Sequence, residues 1–123
     1  MATVAVPCSS DEEIDDPGTA MVVVDQQGDA LYFSRSRIPY PRNEANYLRH
    51  IGLYAYRRDF LLTFPTLPQT PHEKAESLEQ LRALEHGYRV KVAVGDFTTI
   101  GVDTPADLER VSRMIIGPLD ARP

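Results

Sequence analysis

The stretch from Thr70 to Gly87 restricts the fold of this chain more than any other. Thr70 suits a helix N-cap, Pro71 suits the first turn, where a missing N–H is harmless, and Glu73 stands where a capping box needs an acceptor. Leu78, Leu81 and Leu84 follow on one stripe at three-residue spacing, and Gly87 suits a left-handed terminus. The spacing predicts one amphipathic helix running to about His86, which must lay its leucines on an apolar partner. The same grammar recurs later, with Thr104 as cap, Pro105 in the first turn and Asp107 three residues after the cap. Leu108, Val111 and Ile115 give this second helix a stripe expected to be buried.

The partner surface is written in short branched and aromatic runs. Ala2 to Val6 reads as a strand closed by Pro7. Ala20 to Asp25 and Ala30 to Ser34 read as a hairpin around Gln26-Gln27-Gly28-Asp29. Tyr47 to Tyr56 and Arg89 to Val94 supply further strands. Between them lie an acidic loop or short helix from Ser9 to Asp16, a long loop from Ser36 to Asn46, a short helix from Arg58 to Phe64 and a proline-rich connection from Pro65 to Pro71. Strands and helices alternate without a repeat or a dividing linker. The expected architecture is therefore a single α/β domain over residues 1–123, built on a mixed β-sheet with flanking helices.

A net charge of −5 and a pI near 5.1 argue against nucleic acid as the partner, since phosphate backbones are held by clustered cations. The charge is uneven, however: Arg35, Arg37, Arg42, Arg49, Arg57 and Arg58 face a single acid, Glu44, in that stretch. The segment could hold a small anion or form a solvated basic surface. Cys8 is the sole cysteine, which excludes an internal disulfide and fits a reducing compartment. The longest strictly apolar run, Ala20 to Val24, is far too short to span a bilayer, so no membrane partner is expected and the cytoplasm is the expected location. The three histidines lack the spacing of a zinc site.

Five consecutive stretches carry a more specific signal: Met1 to Pro7; Ala30-Leu31-Tyr32-Phe33-Ser34-Arg35 with Ile38-Pro39 beyond it; Leu48-Arg49-His50-Ile51-Gly52-Leu53-Tyr54-Ala55-Tyr56-Arg57; Glu73 to Arg82; and Gly101-Val102-Asp103-Thr104-Pro105-Ala106-Asp107-Leu108-Glu109-Arg110. In order and spacing they resemble the carboxy-terminal half of the 3-deoxy-manno-octulosonate (Kdo) cytidylyltransferases, which make CMP-Kdo for bacterial lipopolysaccharide. Cytidylyltransferases for sialic acid and other acidic sugars share the reaction but look less like this chain in the Phe-Ser-Arg and Leu-Glu-Gln-Leu-Arg stretches. Met21 departs from the pattern, which has a lysine there. The resemblance implies that the family's amino-terminal CTP-binding half is absent, and that the chain is a fragment, a truncated product or one half of a split enzyme.

The resemblance also implies a fold, a chemistry and a site. The fold would be the carboxy-terminal portion of a nucleotide-diphospho-sugar transferase-like α/β fold. The anomeric hydroxyl of Kdo would attack the α-phosphorus of CTP with Mg2+ as cofactor, a reaction carried by positioning and charge neutralisation. Asp103 matches the family's carboxy-terminal metal-binding aspartate, and an oxygen ligand is what Mg2+ prefers. Arg35 matches an arginine for the anionic sugar. His50 and Tyr54, four apart on a strand and so on one face, match contacts to sugar hydroxyls or carboxylate, and Glu79 and Gln80 match contacts to sugar hydroxyls. Alone, the chain would be nearly inactive. The partners implied are Kdo, CTP, a second copy in a homodimer and a complementary amino-terminal half. Two alternatives remain: a non-catalytic association module, since a missing half would leave an unpaired sheet edge, and a cytidylyltransferase for a related acidic sugar.

Overall fold

The computed structural model describes residues 1–97 and 100–116. Its strands are β1 (Ala2–Cys8), β2 (Met21–Val24), β3 (Ala30–Ser34), β4 (Tyr47–Ala55) and β5 (Lys91–Val94), in one sheet of order β3-β2-β4-β1-β5. Only β1 and β5 run parallel; the other neighbours are antiparallel, so the sheet is mixed, as expected. β1 continues through Pro7, past the point expected from sequence. Beyond Ala5 it has lost its β5 neighbour, so a proline that cannot donate breaks no ladder there.

The helices are α1 (Asp11–Ile14), α2 (Arg58–Thr63), α3 (Pro71–Glu76), α4 (Gln80–Glu85) and α5 (Pro105–Ile116), with a 3-10 turn at Phe64–Thr66. Phe60, Phe64, Leu78, Leu81 and Ala83 come from the segment between β4 and β5 and close on Ala5, Val22, Phe33 and Val92 of the sheet. A smaller cluster of Cys8, Ile14, Met21 and Tyr47 lies on the opposite face, where adjacent residues of β2 must point. The β2–β3 turn, with Gly28 at φ 84, reaches β5: Val92 N–H donates to Gly28 O at 2.9 Å and Ala30 N–H donates to Val90 O at 2.8 Å. Over residues 90–92 the outer edge of β5 is thereby paired within the chain.

Two expectations are corrected. The helix expected to run unbroken from Thr70 to about His86 is two helices meeting at Ser77, which adopts φ 52 and ψ 49. The cause is distant in sequence. Arg35 donates through Nε to Glu76 O at 2.7 Å and through Nη2 to Ser77 O at 3.1 Å, taking the carbonyls that an unbroken helix would use. The start and end of the segment are as expected: a capping box joins Thr70 and Glu73, and Gly87 sits at φ 83. The second correction concerns α5. Its Thr104–Asp107 capping pair forms, with Thr104 Oγ1 donating to Asp107 Oδ2 at 2.7 Å and Asp107 N–H donating to Thr104 Oγ1 at 3.2 Å. Its stripe is not buried, because Leu108 and Ile115 find no apolar surface among the described residues and are 57% and 77% exposed.

Candidate functional site

The helix-covered face of the sheet gathers most of the candidate residues. Ala5 lies opposite His50 and Thr3 opposite Tyr54, so these four side chains share one face. The register then shows what spacing alone could not. Val4 pairs with Ile51 and Thr3 with Tyr54, which leaves Gly52 and Leu53 as two extra residues bulging from β4. In a regular strand, residues four apart stand about 13 Å apart. Here the His50 and Tyr54 rings are 5.5 Å apart between centroids. Because two residues are inserted and not one, the alternation survives and both rings still face the helices.

Thr3, 2% exposed, closes the bulge. Its hydroxyl oxygen lies 2.8 Å from His50 Nε2, 2.8 Å from Leu53 O and 3.2 Å from Ile51 O. The His50 ring also meets the Phe33 ring edge-on at 5.0 Å. An aromatic row then continues from Tyr54 to Tyr56 at 6.0 Å and to Phe60 at 6.2 Å. Burial pushes the His50 imidazolium down to about 4, so the ring is neutral at physiological pH. Burial, with the Tyr56 hydroxyl and Glu79 carboxylate adding to it, pushes Tyr54 up to about 12, so its phenol stays a donor. Burial first, and the same carboxylate second, also raise Tyr56.

Glu79 is the exposed N-cap residue of α4, and Gln80 opens that helix. Read from sequence without the resemblance, both would be exposed helix; Gln80 is instead only 4% exposed, and its Nε2 has no hydrogen-bond partner among the described residues. The break at Ser77 turns α4 so that this amide points inward, a consequence that helical spacing cannot show. Arg35 is held at the end of α3: beside its two helix carbonyls it donates through Nη1 to Pro17 O at 3.0 Å. Three of its five N–H groups are thus engaged, which leaves two for any other partner. Asp103 is exposed in the link between β5 and α5, and its carboxylate forms no hydrogen bond or ion pair among the described residues. Among the described residues no hydrogen bond, ion pair or ring contact joins Arg35 or Asp103 to the His50–Tyr54 pair.

The arginine-rich stretch does not form one basic patch. Arg37 is bound by Asp11 and Asp15, each at 2.8 Å, and Arg49 points to the sheet face opposite His50, with a buried Nε that has no hydrogen-bond partner among the described residues. The acidic residues near the amino terminus thereby serve as anchors for the loop that carries Arg37, where the sequence alone reads as a solvated face. Cys8 is buried and donates to Glu13 Oε2 at 3.2 Å; burial first, and that carboxylate second, raise its thiol, so it is a poor nucleophile.

His50 gives the site an acid-side signature. In the unfolded chain it takes its proton near 6.5, in the fold only near 4, so protonation favours unfolding. Its contribution to stability is complete above about 6.5 and is lost as pH falls through that window towards 4. The urea midpoint should decline from pH 6.5 to 4.5 in the wild type and decline less in His50→Gln. Carboxylates such as Glu73, held low by the Arg82 hydrogen bonds, act in a lower window.

The mixed five-stranded sheet with helices on its face is a nucleotidyltransferase fold. The solved structure of CMP:2-keto-3-deoxy-manno-octonic acid synthetase complexed with CTP is 49% identical and superposes with a TM-score of 0.87, over 93% of this chain and 48% of that one. The chain belongs to the cytidylyltransferase family, whose model matches residues 1–94. The 3-deoxy-manno-octulosonate cytidylyltransferases of Solibacter usitatus and Syntrophotalea carbinolica are 51% and 48% identical to it, over 93% and 95% of the chain but 46% and 51% of their own lengths. The chain thus spans about half the length of the curated relatives it matches. Among the described residues no helix is long and apolar enough to cross a membrane.

Proposed function

We propose that this chain is the sugar-acid-binding portion of an enzyme that transfers CMP from CTP to Kdo, releasing pyrophosphate. The observations that carry the reading are the bulge at Gly52–Leu53, which brings His50 against Tyr54, and the buried amide of Gln80 on α4, which has no partner among the described residues. A buried, unsatisfied amide is costly unless a ligand satisfies it, and neutral donors and acceptors such as His50 and Tyr54 suit a polyhydroxy acid. His50, Tyr54, Glu79 and Gln80 bind and orient the sugar so that its anomeric hydroxyl approaches the α-phosphorus; the two remaining N–H groups of Arg35 are available to the carboxylate. The new bond is from that oxygen to phosphorus, and pyrophosphate departs.

For Mg2+, the fit is partial. Among the described residues no three His, Cys, Asp or Glu side chains converge, and Asp103 offers one free oxygen ligand, which suits a magnesium ion whose other ligands are substrate phosphates, water and residues outside this chain. When bound, the metal neutralises charge on the triphosphate. A homodimer, a complementary amino-terminal half and a cytoplasmic location belong to the same proposal.

The test is pyrophosphate release with CTP, Kdo and Mg2+, on this chain alone and with the amino-terminal half of a relative added. Activity only on addition is expected. Silence in both cases, with the halves shown to associate, would sink the catalytic reading; faster turnover of another sugar acid would reassign the substrate.

A further inference from the structure

We propose that Thr3 is a positioning residue: it fixes His50 as the tautomer protonated on Nε2, so that Nδ1 is a pure acceptor and meets a hydroxyl of the sugar acid and not its carboxylate. The ligand in this statement rests on the sugar-acid reading above. The tautomer rests on geometry alone.

The argument is a count of protons. Thr3 Oγ1 has three neighbours within hydrogen-bond distance: Leu53 O at 2.8 Å, Ile51 O at 3.2 Å and His50 Nε2 at 2.8 Å. Both carbonyls can only accept, and the hydroxyl carries a single hydrogen. If that hydrogen pointed at Nε2, two carbonyl oxygens would face the hydroxyl oxygen with no proton between them, one of them at 2.8 Å, in a place that water does not reach. The hydrogen therefore goes to the bulge carbonyls, and Nε2 must be the donor to Oγ1. A neutral imidazole with its proton on Nε2 has none on Nδ1. The depressed basicity of the ring agrees, since protonation would place a charge in the buried aromatic row.

The bulge and the tautomer are one device. Inserting Gly52 and Leu53 turns two carbonyls out of the β1–β4 ladder towards Thr3, and satisfying them consumes the only hydrogen the hydroxyl has. Nδ1 accepts no hydrogen bond from the described residues, so its lone pair is available to a ligand. A carboxylate there would set lone pair against lone pair, whereas a hydroxyl would donate. The acid group must then fall to donors, such as the Tyr54 phenol on this face and the two N–H groups that Arg35 has left. His50 thus fixes which way round the sugar acid lies.

The tautomer can be read directly by long-range proton–nitrogen NMR on the 15N-labelled chain, where three histidines keep the spectrum simple. The expected result is a protonated Nε2 and a bare Nδ1 for His50 in the wild type and in Thr3→Ser, a mixture of tautomers in Thr3→Val, and Kdo affinity about tenfold weaker in Thr3→Val than in Thr3→Ser. Added Kdo should shift Nδ1 without protonating it. A proton on Nδ1 in the wild type, or an unchanged tautomer in Thr3→Val, would overturn the proposal. Should Thr3→Val not fold, the wild-type and Thr3→Ser spectra decide the tautomer by themselves. A fixed Nε2–H tautomer with no Kdo binding would remove the ligand assignment and leave the positioning role of Thr3 standing.

Discussion

Replacing Arg82 by Ala is expected to lower the unfolding free energy by about 3–5 kcal/mol, the usual cost of removing one partner from a buried ion pair. The Arg82 and Glu73 side chains are 12% and 6% exposed, and the pair is two-pronged, with Nε donating to Oε2 at 2.9 Å and Nη2 donating to Oε1 at 2.5 Å. Glu73 Oε2 also accepts from Thr70 N–H at 3.2 Å, so one carboxylate caps α3 and ties it to α4. The guanidinium lies 5.1 Å from the Phe64 ring centre, which adds a face that a lysine would use less well. Without Arg82 the carboxylate stays buried with only the cap bond to support it. The loss would appear as a fall in melting temperature of more than 10 °C in a chain of this size. Its pH dependence is distinctive. Arg82 holds Glu73 below the ordinary carboxylate range, so this contribution is present above the unfolded value of 4.5 and lost as pH falls below it. The gap between wild type and Arg82→Ala should narrow in acid, and the Glu73→Gln, Arg82→Met double variant should recover part of the loss.

What the sequence disclosed, and what it withheld, divides along one line. Signals contained within a few residues were legible. Thr70 with Glu73, Thr104 with Asp107, the Gly28 turn and the Gly87 terminus each act through neighbours in the chain, and each stands where the pattern puts it. The common face of His50 and Tyr54 was legible too, because strand alternation is local. Features that depend on distant partners were not. The break at Ser77 is imposed by Arg35, 42 residues earlier, and nothing in Glu76-Ser77-Leu78 marks it. The inward turn of Gln80 follows from that break. The bulge in β4 had one faint local sign, Gly52 in a run otherwise rich in strand formers, since a glycine inside a strand marks a bulge often enough to be tested. The exposure of α5 was illegible for a different reason: an apolar stripe shows that a helix has a partner surface, but not which chain or segment supplies it. The roles of Arg35 and Asp103 came from the family resemblance alone, and neither touches the ring pair.

Phe33→Ala is the second change expected to have a large effect, and it separates the fold from the site. Phe33 is fully buried, lies opposite Val22 in the β2–β3 ladder and fills the space between the sheet and the helices. Truncation leaves a cavity in a close-packed core and should cost about 3–5 kcal/mol, a large share of the 5–15 kcal/mol that holds a typical domain folded. Phe33→Leu, which keeps most of the volume, should cost about 1.5 kcal/mol or less. The effect on the site is of a different kind, because the ring edge that meets His50 at 5.0 Å also limits where the imidazole can turn. Thr3 and Phe33 thus both touch that imidazole, one by a hydrogen bond and one by its ring. Kdo titrations at a temperature where both variants are folded should therefore show weaker binding in both, with the larger loss in Phe33→Ala. If stability falls as expected while affinity in Phe33→Ala matches the wild type, the hydrogen bond to Thr3 alone orients His50, and Phe33 acts only as core.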